Sequence, residues 1–444
     1  MEVAEGHLSI PVTVRFRPDI FVCREPPADL LIDDALSKEA PQVFLSCHRC
    51  RTFRRGSCSG TEVEEMGLSR EVETVRLSWH SYLNTKDLLT AALVYRLVFH
   101  CFLQNAQCSM TTLTNPTMSY AELALPLPER SELWLAKTAS EWKGLYLEKS
   151  PGLPERIPAL GDLFQDAHLL PSNRSRVDVQ LSISIYLHAF WALILEYQQL
   201  SAVHKSRSST SSSMGGNQSL LLSSRHQELV KELQNFRLIS AEWPDMTSRE
   251  HIVLNLLLMN LHVSMDDVQL FAGKEGEEQS RRIYPVLQQW ASCAEGRSAT
   301  WYAGQVLRQA KLSPPGQLKD FQAVAVHHAA LVLWTYGVIA KANRRQAPLP
   351  SQHALEPIYL DGPDPGPVQR FISFGQGRPV IRGVVTRSST DASAIENPRE
   401  AMDLVQEILR LNLDPGAETL PPMVENLCFL IKQLGDAARA VGLG

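Results

Sequence analysis

The chain has 444 residues, of which 44% are hydrophobic and 20% are charged. These proportions allow a substantial buried core, and the length predicts one large or two moderate folded units. The 43 Lys and Arg residues against 48 Asp and Glu give a net charge of −5, so the whole molecule presents no positive field to nucleic acid or anionic lipid. Eight irregularly spaced cysteines are too few for a disulfide scaffold and indicate reduced thiols.

Two features argue against a membrane or secretory role. The amino terminus lacks a basic segment followed by a long apolar run, so we expect no cleaved signal peptide. The most apolar stretch, residues 181–197, is shorter than the roughly 20 residues of a membrane span and contains Ser182, Ser184 and His188. We therefore predict a buried helix at 181–197 and no membrane partner.

The pattern of apolar residues divides the chain in two. Residues 1–83 mix proline, charged and small polar residues without a sustained helical period, which predicts an irregular, basic, cysteine-containing segment. From residue 84 to 444 apolar side chains recur at helical spacing, and no run of alternating strands follows. The sequence therefore predicts an all-α fold, a large multi-helix bundle over 84–444.

Two helix starts carry the signature of a capping box, in which a Thr and a Glu three residues later satisfy free backbone N–H groups. Thr138 with Glu141 predicts the first, and Thr247 with Glu250 predicts the second. Behind Thr247, apolar residues repeat on one face as far as Val263. This second helix is the clearest in the sequence.

Two segments predict interruptions of the bundle. Residues 201–222 are rich in serine and contain a Gly-Gly pair, which predicts a surface loop. Residues 345–368 are rich in proline and glycine and predict a connector.

The segment before the bundle holds a candidate zinc site. Cys47 and Cys50 are spaced as a Cys-x2-Cys pair, which can occupy two corners of a tetrahedron around zinc, and Cys58 follows. A structural site needs four ligands, and no second Cys-x2-Cys pair comes before Cys101. The alternative is a basic loop with free thiols.

The same segment carries four arginines without an acidic neighbour. Arg49, Arg51, Arg54 and Arg55 could hold DNA phosphates, each contact adding salt-sensitive affinity. A solvated surface or a nuclear import signal would have the same composition.

Two further groups are candidate metal ligands. Asp266 and Asp267 lie near the end of the clearest helix, where an α-helical magnesium enzyme of the terpene-cyclase type would place ligands. A third acidic residue at the right offset is absent. The simpler interpretation is a solvated helix end. His327 and His328 point about 100° apart on one helix, which favours core packing over shared ligation.

Several sequence segments, taken in order, resemble the fungal-specific transcription factor domain. They are Ala124 to Pro128 with Trp134 and Trp142 behind it, Arg282 to Trp290, Trp301 to Gln305, Val326 to Gly337, Ile358 to Gly362, Phe371 to Pro379, and Leu420 to Leu427. The similarity extends from about residue 84 to the carboxyl end.

That resemblance implies a helical regulatory domain of a nuclear transcription factor without catalytic activity. It also implies a zinc module ahead of the domain, but Cys47, Cys50 and Cys58 match only the first half of a binuclear cluster, with one extra residue before Cys58. DNA binding is then weak or depends on a partner, which could be a second copy or another fungal transcription factor. The competing hypotheses are a dimerising interaction protein that lost its DNA-binding module, and the magnesium enzyme.

Overall fold

The computed structural model describes residues 85–148, 156–208, 216–346, 356–363, 365–384 and 392–440. Across these ranges the chain forms 15 α-helices and three short strands, so the predicted all-α class is confirmed. The predicted irregular segment 1–83 lies outside the described residues, and so do the cysteines and arginines singled out within it.

Helices fill the first half of the described chain. They are α1 (Thr85–Thr112), α2 (Ser131–Trp134), α3 (Ala139–Glu148), α4 (Leu160–Gln165), α5 (Leu169–Ser172), α6 (Val179–Ser208) and α7 (Gly216–Ile239), with a 3-10 turn at Tyr120–Glu122. The second half continues with α8 (Ser248–Leu261), α9 (Met265–Phe271), α10 (Glu277–Ser292), α11 (Ala294–Leu312), α12 (Phe321–Gln346), α13 (Pro365–Phe374), α14 (Pro398–Leu411) and α15 (Pro422–Ala440).

The core forms around α8, α11 and α12. Helix α8 packs on α6 and α11, and α12 packs on α11, α14 and α15. From Phe321 to Ile339 every residue of α12 is buried, as expected for a helix that is apolar on all sides. Removing a Val or Leu side chain from water stabilises a fold by about 1.5–3 kcal/mol, so these helices dominate the stability.

Two helices are long and apolar enough to cross a membrane by length and composition alone. They cover Val179–His204 and Phe321–Arg344, and 72% and 94% of their most apolar windows are buried against the rest of the protein. The first includes the stretch 181–197, so the predicted buried helix there is confirmed but longer than expected. Both pack as core helices of this fold.

A small sheet lies against one side of the helices. Strand β1 (Pro357–Tyr359) pairs in parallel with β2 (Arg378–Arg382), and β2 pairs antiparallel with β3 (Ala392–Ala394). The chain just after β1 is held on α11 by a hydrogen bond and an ion pair. There the amide of Gln305 donates to the carbonyl oxygen of Leu360 at 2.8 Å, and the Lys311 ammonium lies 2.5 Å from the carboxylate of Asp361.

Helices or a strand occupy part of both predicted connectors. Helix α6 continues to Ser208 and α7 begins at Gly216, so helix occupies both ends of the predicted loop 201–222. Likewise α12 continues to Gln346, and β1 and the first turn of α13 occupy part of the predicted connector 345–368. Composition is a weak guide here because packing on neighbouring helices overrides local propensity.

Candidate functional site

Three potential metal ligands meet where α7, α8 and α11 approach one another. His226 comes from α7, His262 is the residue that ends α8, and Glu295 stands in the first turn of α11. Their ligand atoms all lie within 4.8 Å of one another. We call these residues the His-His-Glu cluster.

Helix ends place two of the three side chains. At the end of α8, the backbone N–H of His262 donates to the carbonyl oxygen of Met259, and the next helix begins directly after Ser264. Glu295 lies near the amino terminus of α11, where the helix dipole favours a negative charge. The fold therefore brings a helix end with an imidazole to a helix start with a carboxylate.

The carboxylate of Glu295 reaches both imidazoles. Its Oε2 atom lies 3.9 Å from Nε2 of His226 and in close hydrogen-bond contact with Nδ1 of His262. His226 Nε2 also lies 3.0 Å from the carbonyl oxygen of Leu261. The backbone of His262 is fixed in turn, because the indole N–H of Trp290 donates to its carbonyl oxygen at 2.8 Å.

Aromatic side chains orient the two imidazole rings. The His262 ring stacks on Tyr302 with centroids 5.7 Å apart and planes at 5°, and the His226 ring stacks on Tyr197 at 5.5 Å and 30°. The two imidazoles meet edge to face at 5.3 Å. Gln234 donates a hydrogen bond to the Tyr302 hydroxyl, which adds a further contact from α7 to this stack.

The surroundings favour the ionisation states that a metal ligand needs. Burial lowers the pKa of His226, and the attraction of Glu295 only partly offsets this, so the neutral imidazole is favoured. The pKa of Glu295 is lowered chiefly by its hydrogen bond with His262, so the carboxylate form is favoured. A neutral imidazole and a carboxylate are the forms that bind metal.

The structure does not support the magnesium-enzyme hypothesis at Asp266 and Asp267. The sequence places these residues near the end of the clearest helix, but α8 ends at Leu261 and they lie in the first turn of the separate helix α9, capped by the Ser264 side chain. The Asp266 side chain is 68% exposed, and neither residue belongs to a cluster of three potential metal ligands within the described ranges. Both carboxylates instead suit the positive end of the α9 dipole.

The paired histidines of α12 are core residues, as predicted. His327 and His328 are both buried, with ring centroids 6.2 Å apart. Burial lowers the pKa of His327 to about 3 and that of His328 to about 4, so both are neutral at physiological pH.

Sequence reasoning missed the His-His-Glu cluster. Its members are each more than 30 residues apart and belong to no local motif, so no spacing in the sequence indicates that they meet. The available signal was indirect. His262 closes the helix that the capping box at Thr247 opens, so its position at a helix end could have been anticipated.

Comparison with known proteins places the chain near fungal transcription factors. A transcription factor of Zymoseptoria tritici is 23% identical over 323 residues, which cover 64% of this chain and 32% of the relative. Transcription factor 1 of Elsinoe fawcettii is 24% identical, over 60% of this chain and 29% of the relative. Transcription factor PfmaH of Pestalotiopsis fici is 20% identical, over 60% of this chain and 28% of the relative.

This chain is thus a distant homologue of proteins named as fungal transcription factors. It spans about a third or less of the length of these curated relatives. No family model matches the sequence, and no solved structure matches it.

Proposed function

We propose that this chain is a fungal transcription regulator that acts in the nucleus through its helical unit. The observation that carries the proposal is the similarity of 60–64% of the chain to proteins named as transcription factors. The proposal assigns the chain no catalytic step, and the exposure of Asp266 supports this.

The finer part of the proposal concerns DNA. We propose that Arg49, Arg51, Arg54 and Arg55 contact phosphates, and that Cys47, Cys50 and Cys58 hold zinc beside them. With only three cysteines in the set and a net charge of −5, the chain binds DNA weakly or together with a protein partner. That partner is a second copy of the chain or another transcription factor.

The test uses the full chain, carrying an epitope tag, in its native fungal host. We expect it to accumulate in the nucleus, to occupy chromatin at discrete sites, and to change the level of nearby transcripts when its gene is deleted. Replacing the four arginines with alanine should reduce chromatin occupancy, because each lost phosphate contact weakens binding.

The matched control replaces four exposed arginines of the helical unit, which form surface ion pairs of little energetic value: Arg225, Arg281, Arg370 and Arg399. This variant should keep wild-type occupancy. A chain that stays out of the nucleus and changes no transcript contradicts the regulatory role. Equal occupancy of the two arginine variants contradicts only the DNA contact by the amino-terminal segment.

A further inference from the structure

We propose that the His-His-Glu cluster binds one Zn²⁺ ion per chain. Two imidazoles and one carboxylate are a ligand set that zinc accepts in proteins, with three protein ligands and a fourth position left open. His226, His262 and Glu295 supply this set from three helices. The inference stands on this geometry alone and does not depend on the proposed role in transcription.

The separations fit a zinc ion after a small movement. At zinc–ligand distances of about 2.0–2.1 Å, two ligand atoms of a tetrahedral site lie roughly 3.3 Å apart. In the structure Oε2 of Glu295 lies 3.9 Å from His226 Nε2, and closer than the tetrahedral spacing to His262 Nδ1. A shift of the carboxylate by less than about 1 Å, away from His262 and towards His226, equalises the two separations.

Glu295 is freer to make this movement than the two imidazoles, whose ligand nitrogens lie within 4.8 Å of each other. Its side chain is 51% exposed, whereas those of His226 and His262 are 15% and 9% exposed. Stacking on Tyr197 and Tyr302 holds the two rings in place. The site therefore has two preoriented ligands and one mobile anionic ligand, and it leaves the fourth position accessible to water.

Proton balance imposes one condition on the proposal. Each neutral imidazole must present an unprotonated nitrogen to the ion. Nε2 of His226 therefore loses its hydrogen bond to the Leu261 carbonyl oxygen. Nδ1 of His262 loses its hydrogen bond to Glu295 in the same way. The proton moves to the other ring nitrogen through exchange with water. An imidazolium at either position would release its proton on binding, so affinity falls as the pH decreases.

The experiment isolates this site from the three candidate zinc cysteines near the amino terminus. Full chain with Cys47, Cys50 and Cys58 replaced by serine is stripped with a chelator and titrated with Zn²⁺ by calorimetry. We expect one equivalent to bind. His226→Gln, His262→Gln and Glu295→Gln, each added to that background, should weaken binding by more than about 100-fold, because loss of a direct ligand exceeds the 10–100-fold cost of losing an outer partner.

His251→Gln is the matched control, since it removes another half-buried histidine at the opposite end of the same helix α8. It should retain the bound equivalent. Binding of Co²⁺ gives a second measurement: visible d–d bands should appear without a thiolate charge-transfer band, and only when the cluster is intact. In addition, Zn²⁺ should raise the thermal midpoint of the serine background but not that of its His226→Gln derivative.

Three results would overturn the proposal. The first is that the serine background binds no Zn²⁺. The second is that the cluster variants and the His251→Gln control bind Zn²⁺ with equal affinity. The third is a Co²⁺ spectrum dominated by thiolate charge transfer. A cluster variant that unfolds is distinguished by its far-UV circular dichroism, and the Co²⁺ spectrum of the folded background then decides.

Discussion

At the scale of single residues, two glycines set how closely the small sheet approaches the central helices. A Cβ atom at Gly337 of α12 would lie 1.9 Å from the carbonyl oxygen of Ile395, and one at Gly304 of α11 would lie 2.4 Å from Cβ of Leu360. Both distances are far below a van der Waals contact. Glycine is therefore required at these positions for close approach, since it alone lacks a Cβ.

We predict that Gly337→Ala destabilises the fold by about 1–3 kcal/mol, because the new methyl group must push the backbone at Ile395 away from α12. The free energy of unfolding, measured by urea titration followed by circular dichroism, tests this. The matched control is Gly144→Ala in helix α3, where nothing lies within 4 Å of the added Cβ. There alanine should stabilise by about 0.5–1 kcal/mol through its better helix propensity. A neutral Gly337→Ala would show that the contact with Ile395 is not tight.

At the scale of elements, the two predicted helix caps form in different surroundings. The Thr138 side chain accepts from the N–H of Glu141 on the exposed start of α3, and the carboxylate of Glu141 accepts from Lys137 N. The Thr247–Glu250 capping box starts α8, and there the threonine is also exposed but its partner carboxylate is buried. Glu250 is 2% exposed and also accepts a hydrogen bond from Ser184 of α6 at 3.2 Å.

We predict that the same substitution has unequal effects at these two caps. Thr247→Ala should cost about 1–2 kcal/mol, because it removes a cap whose partner carboxylate is buried, and Thr138→Ala should cost less than about 1 kcal/mol, because water replaces the lost acceptor. Urea unfolding of both variants against wild type provides the comparison. Equal losses would mean that the burial of Glu250 adds nothing to the cap.

Helix caps can be predicted from the sequence, whereas features that depend on the packing of helices cannot. The caps at Thr138 and Thr247 could be predicted because a cap depends on residues within one turn of each other. At Thr138 the cap differs from a full capping box, because the Glu141 carboxylate accepts from Lys137 N instead of Thr138 N. The helices at both ends of the predicted loop 201–222 could not be predicted, because local composition does not show that α6 and α7 pack against each other. The His-His-Glu cluster could not be predicted for the same reason, since its ligands meet only when three separate helices pack.

At the scale of the whole molecule, the all-α class was predictable because helical periodicity repeats along most of the chain. The small sheet was not, since each of its strands has only three to five residues and gains stability from helices beneath it. Likewise, the apolar pattern places His188, His327 and His328 in the core, but it does not indicate how far burial lowers their pKa values. The pH dependence of stability reveals that effect.

We predict that acid destabilises the helical unit between pH 6.5 and 4. Burial lowers the pKa of His188 to about 4, against 6.5 for an unperturbed histidine, and His327 and His328 shift in the same direction. In that window the unfolded chain binds protons that the folded chain excludes. The free energy of unfolding therefore decreases, as the pH decreases, by up to about 1.4 kcal/mol per pH unit for each such histidine. Partly buried Glu129, with a pKa raised to about 7, opposes this trend, as does Glu232, whose pKa burial also raises. The pKa values of His100, His226 and His251, which burial lowers, add to the trend.

His188→Gln separates the titration of this histidine from the rest of the core. His188 lies 2.7 Å from the Ser184 carbonyl oxygen and 3.2 Å from the amide of Gln107, so the variant loses some stability at every pH. Its stability should nevertheless depend less steeply on pH than that of wild type between 6.5 and 4, because one excluded proton no longer contributes. Urea midpoints at half-unit pH steps measure the two slopes. If the slopes are parallel, His188 titrates in the folded protein as it does in the unfolded chain, and burial in α6 does not control its charge.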